Sequence, residues 1–484
     1  MSPDTTSWDR SIPDADLLRR FDIAGPRYTS YPTADRFHAG VDAAQHAETL
    51  ALRAFGPVAQ QPMSVYVHIP FCESVCYYCA CNKVVTRHHE RAAAYVDALA
   101  LEMALVQQRL GTRALVSQLH FGGGTPTFLS DGELSTLMAL LHRHFRLCAD
   151  AEISIEVDPR TIDVGRLRHL RTLGFNRLSF GVQDFDPDVQ RAVHREQSLE
   201  SVAALMGAAR DLGFRSINVD LIHGLPLQTP ASFARTVEQV ASLRPDRIAL
   251  YAYAHLPHRF KPQRRIEASA LPQPADKLRM LSGAIAGFIA RGYSYIGMDH
   301  FALADDPLAV AKREGRLHRN FQGYSTQPDC DLVALGVSAI SKVGSSFAQN
   351  VKTLPEYYAA LREGRLPIER GLSLDQDDLV RRDAIMALMC QGRLAFDPIE
   401  RSHGIVMTDY FAPELARLRR LEADGLVTLE PRAVQVTPMG WFFVRAVAMV
   451  FDRYLKATPA AASAGVSASA PEAPEAPVRF SRIL

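Results

Sequence analysis

The sequence predicts an α/β fold built on a parallel sheet of six strands. Three observations predict it: six short apolar runs after residue 60, amphipathic helical patterns between them, and distinctive polar residues and cysteines where the runs end. A helix that returns the chain to the same edge of a sheet makes consecutive strands parallel.

In order, the predicted strands cover residues 64–70, 116–121, 152–157, 177–182, 216–222 and 247–253. Val96, Leu99, Met103, Val106 and Leu110 step by three and four residues, as one face of a helix requires. Ser130 and Glu133 have the spacing of a capping box, with Leu134, Leu137, Met138 and Leu141 behind them. Thr229 followed by Pro230 suits an N-cap and a first-turn proline. Helix is also expected over 272–291 and extended chain over 293–301 and 332–343.

Around this sheet four regions are expected. Residues 1–60 form an N-terminal arm with helices, and Gly25 and the prolines after it keep Arg27, Tyr28, Ser30 and Tyr31 extended. The barrel and its extension take 61–370. A smaller, mostly helical domain takes 371–456, where helices followed by a hairpin give a winged-helix shape. An Ala/Pro-rich spacer and a C-terminal tip take 457–484, the tip regaining apolar character that would let it dock on the body.

The winged-helix shape raises the question of nucleic acid, but residues 371–455 carry ten Arg and Lys against twelve Asp and Glu. The basic footprint of a nucleic-acid binder is missing. The whole chain, 484 residues with 47% hydrophobic and 22% charged, has a net charge of +1 and no run of about 18 apolar residues. A cytoplasmic monomer without membrane or nucleic-acid partners is expected. Cys148, Cys330 and Cys390 are scattered, as ordinary thiols are.

The chemistry is concentrated after the first strand. Cys72, Cys76 and Cys79 form a C-x3-C-x2-C array, with Cys81 two positions on. Soft thiolates on one short loop suit zinc or an iron–sulfur cluster. Zinc would take all four sulfurs, whereas a four-iron cubane held by three leaves one iron open. The loop follows a strand, at the edge that carries the chemistry of β/α barrels. Strand two ends in Gly122, Gly123, Gly124 and Thr125, whose bare backbone can approach a ligand closely; a phosphate loop would need a lysine that is absent. Glu156, Gln183, Arg195 and Asp220 recur at or near the ends of later strands, where buried polar groups must pair with each other or with a ligand.

C-x3-C-x2-C after a first strand resembles the radical S-adenosylmethionine enzymes, and YVHIPFCESVCYYCACNK resembles more narrowly the oxygen-independent coproporphyrinogen III dehydrogenase (HemN) family of haem biosynthesis. The resemblance runs from Gly25 to about Tyr454. It implies a partial, open six-stranded barrel, a [4Fe-4S] cluster on Cys72, Cys76 and Cys79, and two molecules of S-adenosylmethionine. Tyr66, Gly123, Glu156 and Ile340 are implied around the first, and Tyr78, Gly124, Thr125, Gln183, Arg195, Asp220 and Ala254 around the second.

Gln322 matches a position near the active centre, and Cys81 is expected to be catalytic or structural. Tyr78 and Phe121 stand where phenylalanine and tryptophan are usual, and both keep an aromatic ring. The implied reaction converts two propionates of coproporphyrinogen III to vinyl groups, with an unidentified electron donor and acceptor. Arg27 and the arginines of 313–320 are candidate anchors for the substrate's four carboxylates. The main rival is a HemN-like haem chaperone, against which Cys81, the arm and residues 319–324 argue. A zinc-stapled structural or nucleic-acid protein is the third reading.

Overall fold

The computed structural model describes residues 15–21, 23–321, 323–327 and 329–455. The spacer and the C-terminal tip therefore lie outside the described residues. Contacts group the described residues into two compact units, one of residues 34–379 and one that joins the segment before residue 34 to the chain from Val380 on. The stretch expected as an arm over 1–60 is thus shared between the units.

The first unit contains the six expected strands: β1 (Met63–Ile69), β2 (Leu115–Gly123), β3 (Arg146–Val157), β4 (Arg177–Gln183), β5 (Ser216–His223) and β6 (Arg247–Ala252). They lie side by side in that order and all neighbours are parallel. β3 begins six residues earlier than expected, because Arg146 and Leu147 pair with Leu115 and Val116 before an irregularity in register.

Beyond β6 the sheet continues into the hairpin of His300–Leu303 and Tyr293–Gly297, and beyond β1 into Leu332–Leu335, Ile340–Val343, Ser346–Asn350 and Ile368–Ser373. The two outer strands do not pair with each other, so the barrel is open.

The crossover helices form where the sequence periodicity places them. Glu90–Leu110 buries Val96, Leu99, Met103, Val106 and Leu110. Asp131–His144 starts with the full Ser130/Glu133 capping box, and Pro230–Leu243 starts on Thr229. β1 is buried along nearly its whole length, as strands covered on both faces are.

Behind β1, the buried Glu102 of the first crossover helix accepts from Asn350 Nδ2 at 2.6 Å, Gly336 N at 2.7 Å and Tyr357 Oη at 2.5 Å. Burial outweighs these donors and pushes its carboxyl up to about 7. Tyr95 on the same helix donates to the His68 carbonyl at 2.7 Å and so ties β1 to the bundle.

In the second unit, helices Gln376–Gln391, Phe396–His403 and Ala412–Ala423 accompany a three-stranded antiparallel sheet in the order Arg393–Ala395, Ala433–Val436, Val427–Glu430. Tyr28, Ser30 and Tyr31 are taken up by packing inside this unit. Tyr28 is fully buried and donates to Asp452 Oδ2 at 2.9 Å, Ser30 donates to the Pro32 carbonyl, and the Tyr31 hydroxyl accepts from Arg453 N. No helix among the described residues is long and apolar enough to cross a membrane.

Gly336 shows how tightly the first unit is packed behind β1: its φ is +100°, and a Cβ there would lie 2.7 Å from the His68 carbonyl oxygen and against the Tyr95 hydroxyl. Gly336→Ala is expected to destabilise this unit by about 2–4 kcal/mol, combining left-handed strain with overpacking. Urea unfolding followed by circular dichroism would show an earlier midpoint with an unchanged slope.

Candidate active site

The site is assembled where β1–β5 end. Strand alternation turns Ser64, Tyr66 and His68 of β1 to one face, and Gln118 and His120 of β2 follow the same register. On β3 the same face carries Glu152, Ser154 and Glu156, on β4 Arg177 and Ser179, and on β5 Asn218 and Asp220. The barrel interior is therefore polar and cross-linked. Gln118 bridges Ser64 and Glu152, Glu152 pairs with Arg177, and His120 Nδ1 lies 2.6 Å from Ser154 Oγ and Nε2 3.4 Å from Glu156 Oε1.

One pocket above this interior is lined by Cys72, Cys76, Tyr78, Cys79, Cys81, Gly123, Gly124, Thr125, Glu156, Gln183, Arg195 and Asp220. The expected residues absent from its lining have other places. Tyr66 stacks on His120 with centroids 5.9 Å apart, and its hydroxyl lies 3.1 Å from His68 Nδ1. The Ala254 carbonyl accepts from Gln263 Nε2, which also reaches the Tyr78 carbonyl. Ile340 packs against the cluster of Phe37, Phe347, Leu372 and Leu374. Gln322 lies outside the described residues.

The glycine run is required by close approach of the protein to itself. A Cβ on Gly122 would sit 2.8 Å from Glu156 Oε1, one on Gly123 2.6 Å from the His68 ring, and one on Gly124 2.7 Å from the carbonyls of Pro70 and Phe71. The backbone after β2 is thereby laced to the cysteine loop: Gly124 N donates to Ile69 O and Thr125 N to Phe71 O, both at 2.8 Å.

Each sulfur has polar company. Thr125 Oγ1 donates to Cys72 Sγ at 3.5 Å, and Arg195 Nη1 and Arg160 Nη2 donate to Cys76 Sγ at 3.4 and 3.7 Å. Burial pushes the Cys72 thiol up to about 11, with Thr125 working against it. The Cys81 thiol, donating to Cys79, draws Cys79 down and is itself driven up. Arg195 is further held by Asp158 Oδ2 at 3.2 Å and by the Gly181 carbonyl.

Two of the pocket carboxylates, Glu156 and Asp220, are driven apart. Burial would raise Glu156, but His120, the Gly123 N–H at 3.1 Å and His68 hold it below the ordinary range. Burial and then the neighbouring Glu156 charge push Asp220 up to about 6, despite donors from Ser179 and Asn218. Gln183 has φ of +71°, and its Oε1 is buried without a partner among the described residues. Residues in such conformations cluster at ligand-binding and active sites.

A family model of the radical SAM superfamily matches residues 66–240, and one of the HemN C-terminal domain matches residues 374–443. The chain is 51% identical to the oxygen-independent coproporphyrinogen III oxidase of Pseudomonas aeruginosa, over 93% of this chain and 97% of that one. The chain belongs to this oxidase family. The Escherichia coli K12 oxidase is 49% identical over 94% of this chain and 97% of its own. The solved structure of HemN from Escherichia coli, described as coproporphyrinogen III oxidase and a radical SAM enzyme, superposes with a TM-score of 0.86, covering 92% of this chain and all of that one. It is the family that the cysteine string resembles, there under the name dehydrogenase.

The group this family implies, a [4Fe-4S] cluster with S-adenosylmethionine, fits the residues present. Four thiols from one loop, Cys72, Cys76, Cys79 and Cys81, line the pocket, donors are directed at Cys72 and Cys76, and Gly123 and Gly124 bring backbone beside them. Among the described residues no three His, Cys, Asp or Glu side chains close around a single ion.

Sequence reading passed over His68, His120, Asp158, Arg160 and Lys83. The first two were visible as polar residues at alternate positions of strands whose neighbours are apolar, and Asp158 continues the Glu152–Ser154–Glu156 series. Arg160 and Lys83 sit in loops without a period.

Two expectations follow. Asp220 has its folded value above that of a free aspartate, so its ionisation opposes folding. Its contribution to stability should fall as pH rises from about 4 to about 6 and then stay level. Asp220→Asn should therefore melt above the wild type at pH 7.5 and lose that advantage below pH 4, as scanning fluorimetry on the ligand-free protein would show. In anaerobic reconstitution, Cys72→Ser, Cys76→Ser and Cys79→Ser should each lose bound iron and the brown absorbance, while Cys81→Ser keeps both. Loss of the cluster in Cys81→Ser would make that thiol a ligand.

Proposed function

We propose that the protein oxidatively decarboxylates two propionates of coproporphyrinogen III to vinyl groups without oxygen, forming protoporphyrinogen IX in haem biosynthesis. The observation that carries this reading is a pocket in which the three-thiol loop faces Gly123, Gly124, Glu156 and Asp220, on a chain half identical to known oxidases along nearly all of its length. Cys72, Cys76 and Cys79 would hold the cluster. When bound, the cluster and S-adenosylmethionine would supply the radical chemistry for removing one hydrogen atom from a propionate chain, which becomes a vinyl group on losing carbon dioxide and giving one electron to an acceptor.

The chain's own residues bind and orient. Glu156, ionised and already fixed by Gly123 N, offers its remaining lone pairs to the first S-adenosylmethionine, beside Tyr66, Gly123 and Ile340. Gln183 offers an unspent acceptor to the second, with Tyr78, Gly124, Thr125, Asp220 and Ala254 around it. Arg195 and Arg160 donate N–H bonds to the Cys76 sulfur and so fix its position at the pocket. Cys81, whose thiol is hydrogen-bonded to Cys79, is a candidate catalytic group, and Gln322 carries over from the family as a position near the active centre. In this reading the protein acts as a cytoplasmic monomer with one-electron donor and acceptor partners, and its net charge of +1 supports the absence of a nucleic-acid partner.

The test is an anaerobic incubation of the reconstituted, reduced protein with S-adenosylmethionine and coproporphyrinogen III. Chromatography should find protoporphyrin, after oxidation of the product, together with 5′-deoxyadenosine. A brown protein that makes neither, under conditions where the Pseudomonas aeruginosa oxidase makes both, refutes the proposal and favours a haem-binding role.

A further inference from the structure

Arginines inside the barrel are matched: Arg177 with Glu152, Arg160 and Arg195 with Asp158, and Arg247 with Asp306. Arg319 is not. It is 7% exposed, and its Nε and Nη1 are buried with no hydrogen-bond partner among the described residues. Its guanidinium carbon sits 4.5 Å from the centroid of the Tyr324 ring, directly opposite it in the hairpin His318–Asn320/Gly323–Ser325. An aromatic face offsets part of the charge but takes up none of the donor geometry. A buried cation with unspent donors lacks an anion.

The other two arginines of the segment 313–320 are already used at the surface. Arg313 donates to the Ala304 carbonyl at 2.7 Å and Arg316 pairs with Glu314, and both residues are exposed.

The location of Arg319 follows from register. Asp220 of the pocket pairs with Ala249 on β6, and Ala249 pairs with His300 on the next strand, so the three side chains share a face. Two strand spacings separate Asp220 from His300, about 10 Å. The His300 ring meets Tyr324 edge-on at 5.2 Å and Tyr251 at 5.9 Å, and Tyr324 carries Arg319. Tyr295 is near enough to feel the Arg319 charge. Arg319 thus terminates a row of aromatic and imidazole rings that starts at the pocket wall. Flat rings leading to a forked cation match a macrocycle that carries carboxylates on short arms.

We propose that Arg319 anchors the substrate by gripping one of its propionate carboxylates through the guanidinium fork, beyond Asp220 on the β6 side. This assignment rests on the porphyrinogen reading of the pocket. The gripped propionate is not the reacting one. A carboxylate that must leave as neutral carbon dioxide gains nothing in the transition state from a bond to a cation, whereas a remote carboxylate can fix orientation throughout.

The test compares the wild type with Arg319→Gln and Arg319→Lys by fluorescence titration with coproporphyrin III, which keeps the four propionates, and with its tetramethyl ester. Melting temperatures of the unliganded proteins are measured in parallel. The wild type should prefer the tetra-acid. Arg319→Gln should bind the acid roughly 10–100-fold more weakly, bind the ester unchanged, and melt no lower than the wild type, because an unmatched buried charge has gone. Arg319→Lys, a cation without the fork, should recover part of the preference. Unchanged acid binding in Arg319→Gln, or equal loss for acid and ester with a lower melting temperature, overturns the anchor and leaves the decarboxylase reading intact. A wild type that binds neither porphyrin and makes no protoporphyrin overturns both.

Discussion

The structure depends on the distance between the backbone after β2 and the loop after β1. That distance leaves Gly124 no room for a side chain, and the two glycines before it lie as close to the side chains of Glu156 and His68. A methyl group at Gly122 would meet the Glu156 carboxylate, at Gly123 the His68 ring, and at Gly124 the carbonyls that lead into Cys72. The backbone bonds from Gly124 and Thr125 to Ile69 and Phe71 hold the cysteine loop against β2. The glycines let three strands present their ends to one pocket without intervening side chains.

Around that fixed backbone the protein separates the charges of its pocket. Glu156 and Asp220 lie in the same cavity, yet one is held ionised by His120, His68 and a backbone N–H, and the other is pushed toward its neutral form by burial and by the first. At the cysteine loop Arg160 and Arg195 share Asp158 while reaching Cys76, so the cations are already paired before any ligand arrives. Behind β1, Tyr95 and Glu102 hold the crossover helix to the segment around Gly336 and Asn350, supporting His68 from outside the sheet. Pocket chemistry and outer packing therefore meet at one residue, His68, whose imidazole touches Gly123 and whose carbonyl takes Tyr95.

Arg319 is set apart by the same logic. The other buried arginines of this unit, Arg53, Arg195 and Arg247, are each paired with an aspartate, whereas Arg319 meets an aromatic face and its Nε and Nη1 find no hydrogen-bond partner among the described residues. Folding a chain around an unmatched cation is unfavourable, and a carboxylate-bearing ligand restores the balance that the protein leaves open.

The sequence alone determined the six parallel strands, their order and the cysteine loop, because strand alternation, helical period and glycine runs are local signals that survive without coordinates. Resemblance to a family added the cofactors and placed Glu156, Gln183 and Asp220 near one another. Only the tertiary structure decided that Tyr66 serves as a stacking partner of His120, that Arg195 is held by Asp158 and Gly181, and that Arg319, alone among the arginines of 313–320, is buried. Those outcomes depend on burial and on partners as far apart in the chain as Tyr66 and His120. Long-range pairing of charges leaves no period in the sequence, so it became visible only when the strands were brought side by side.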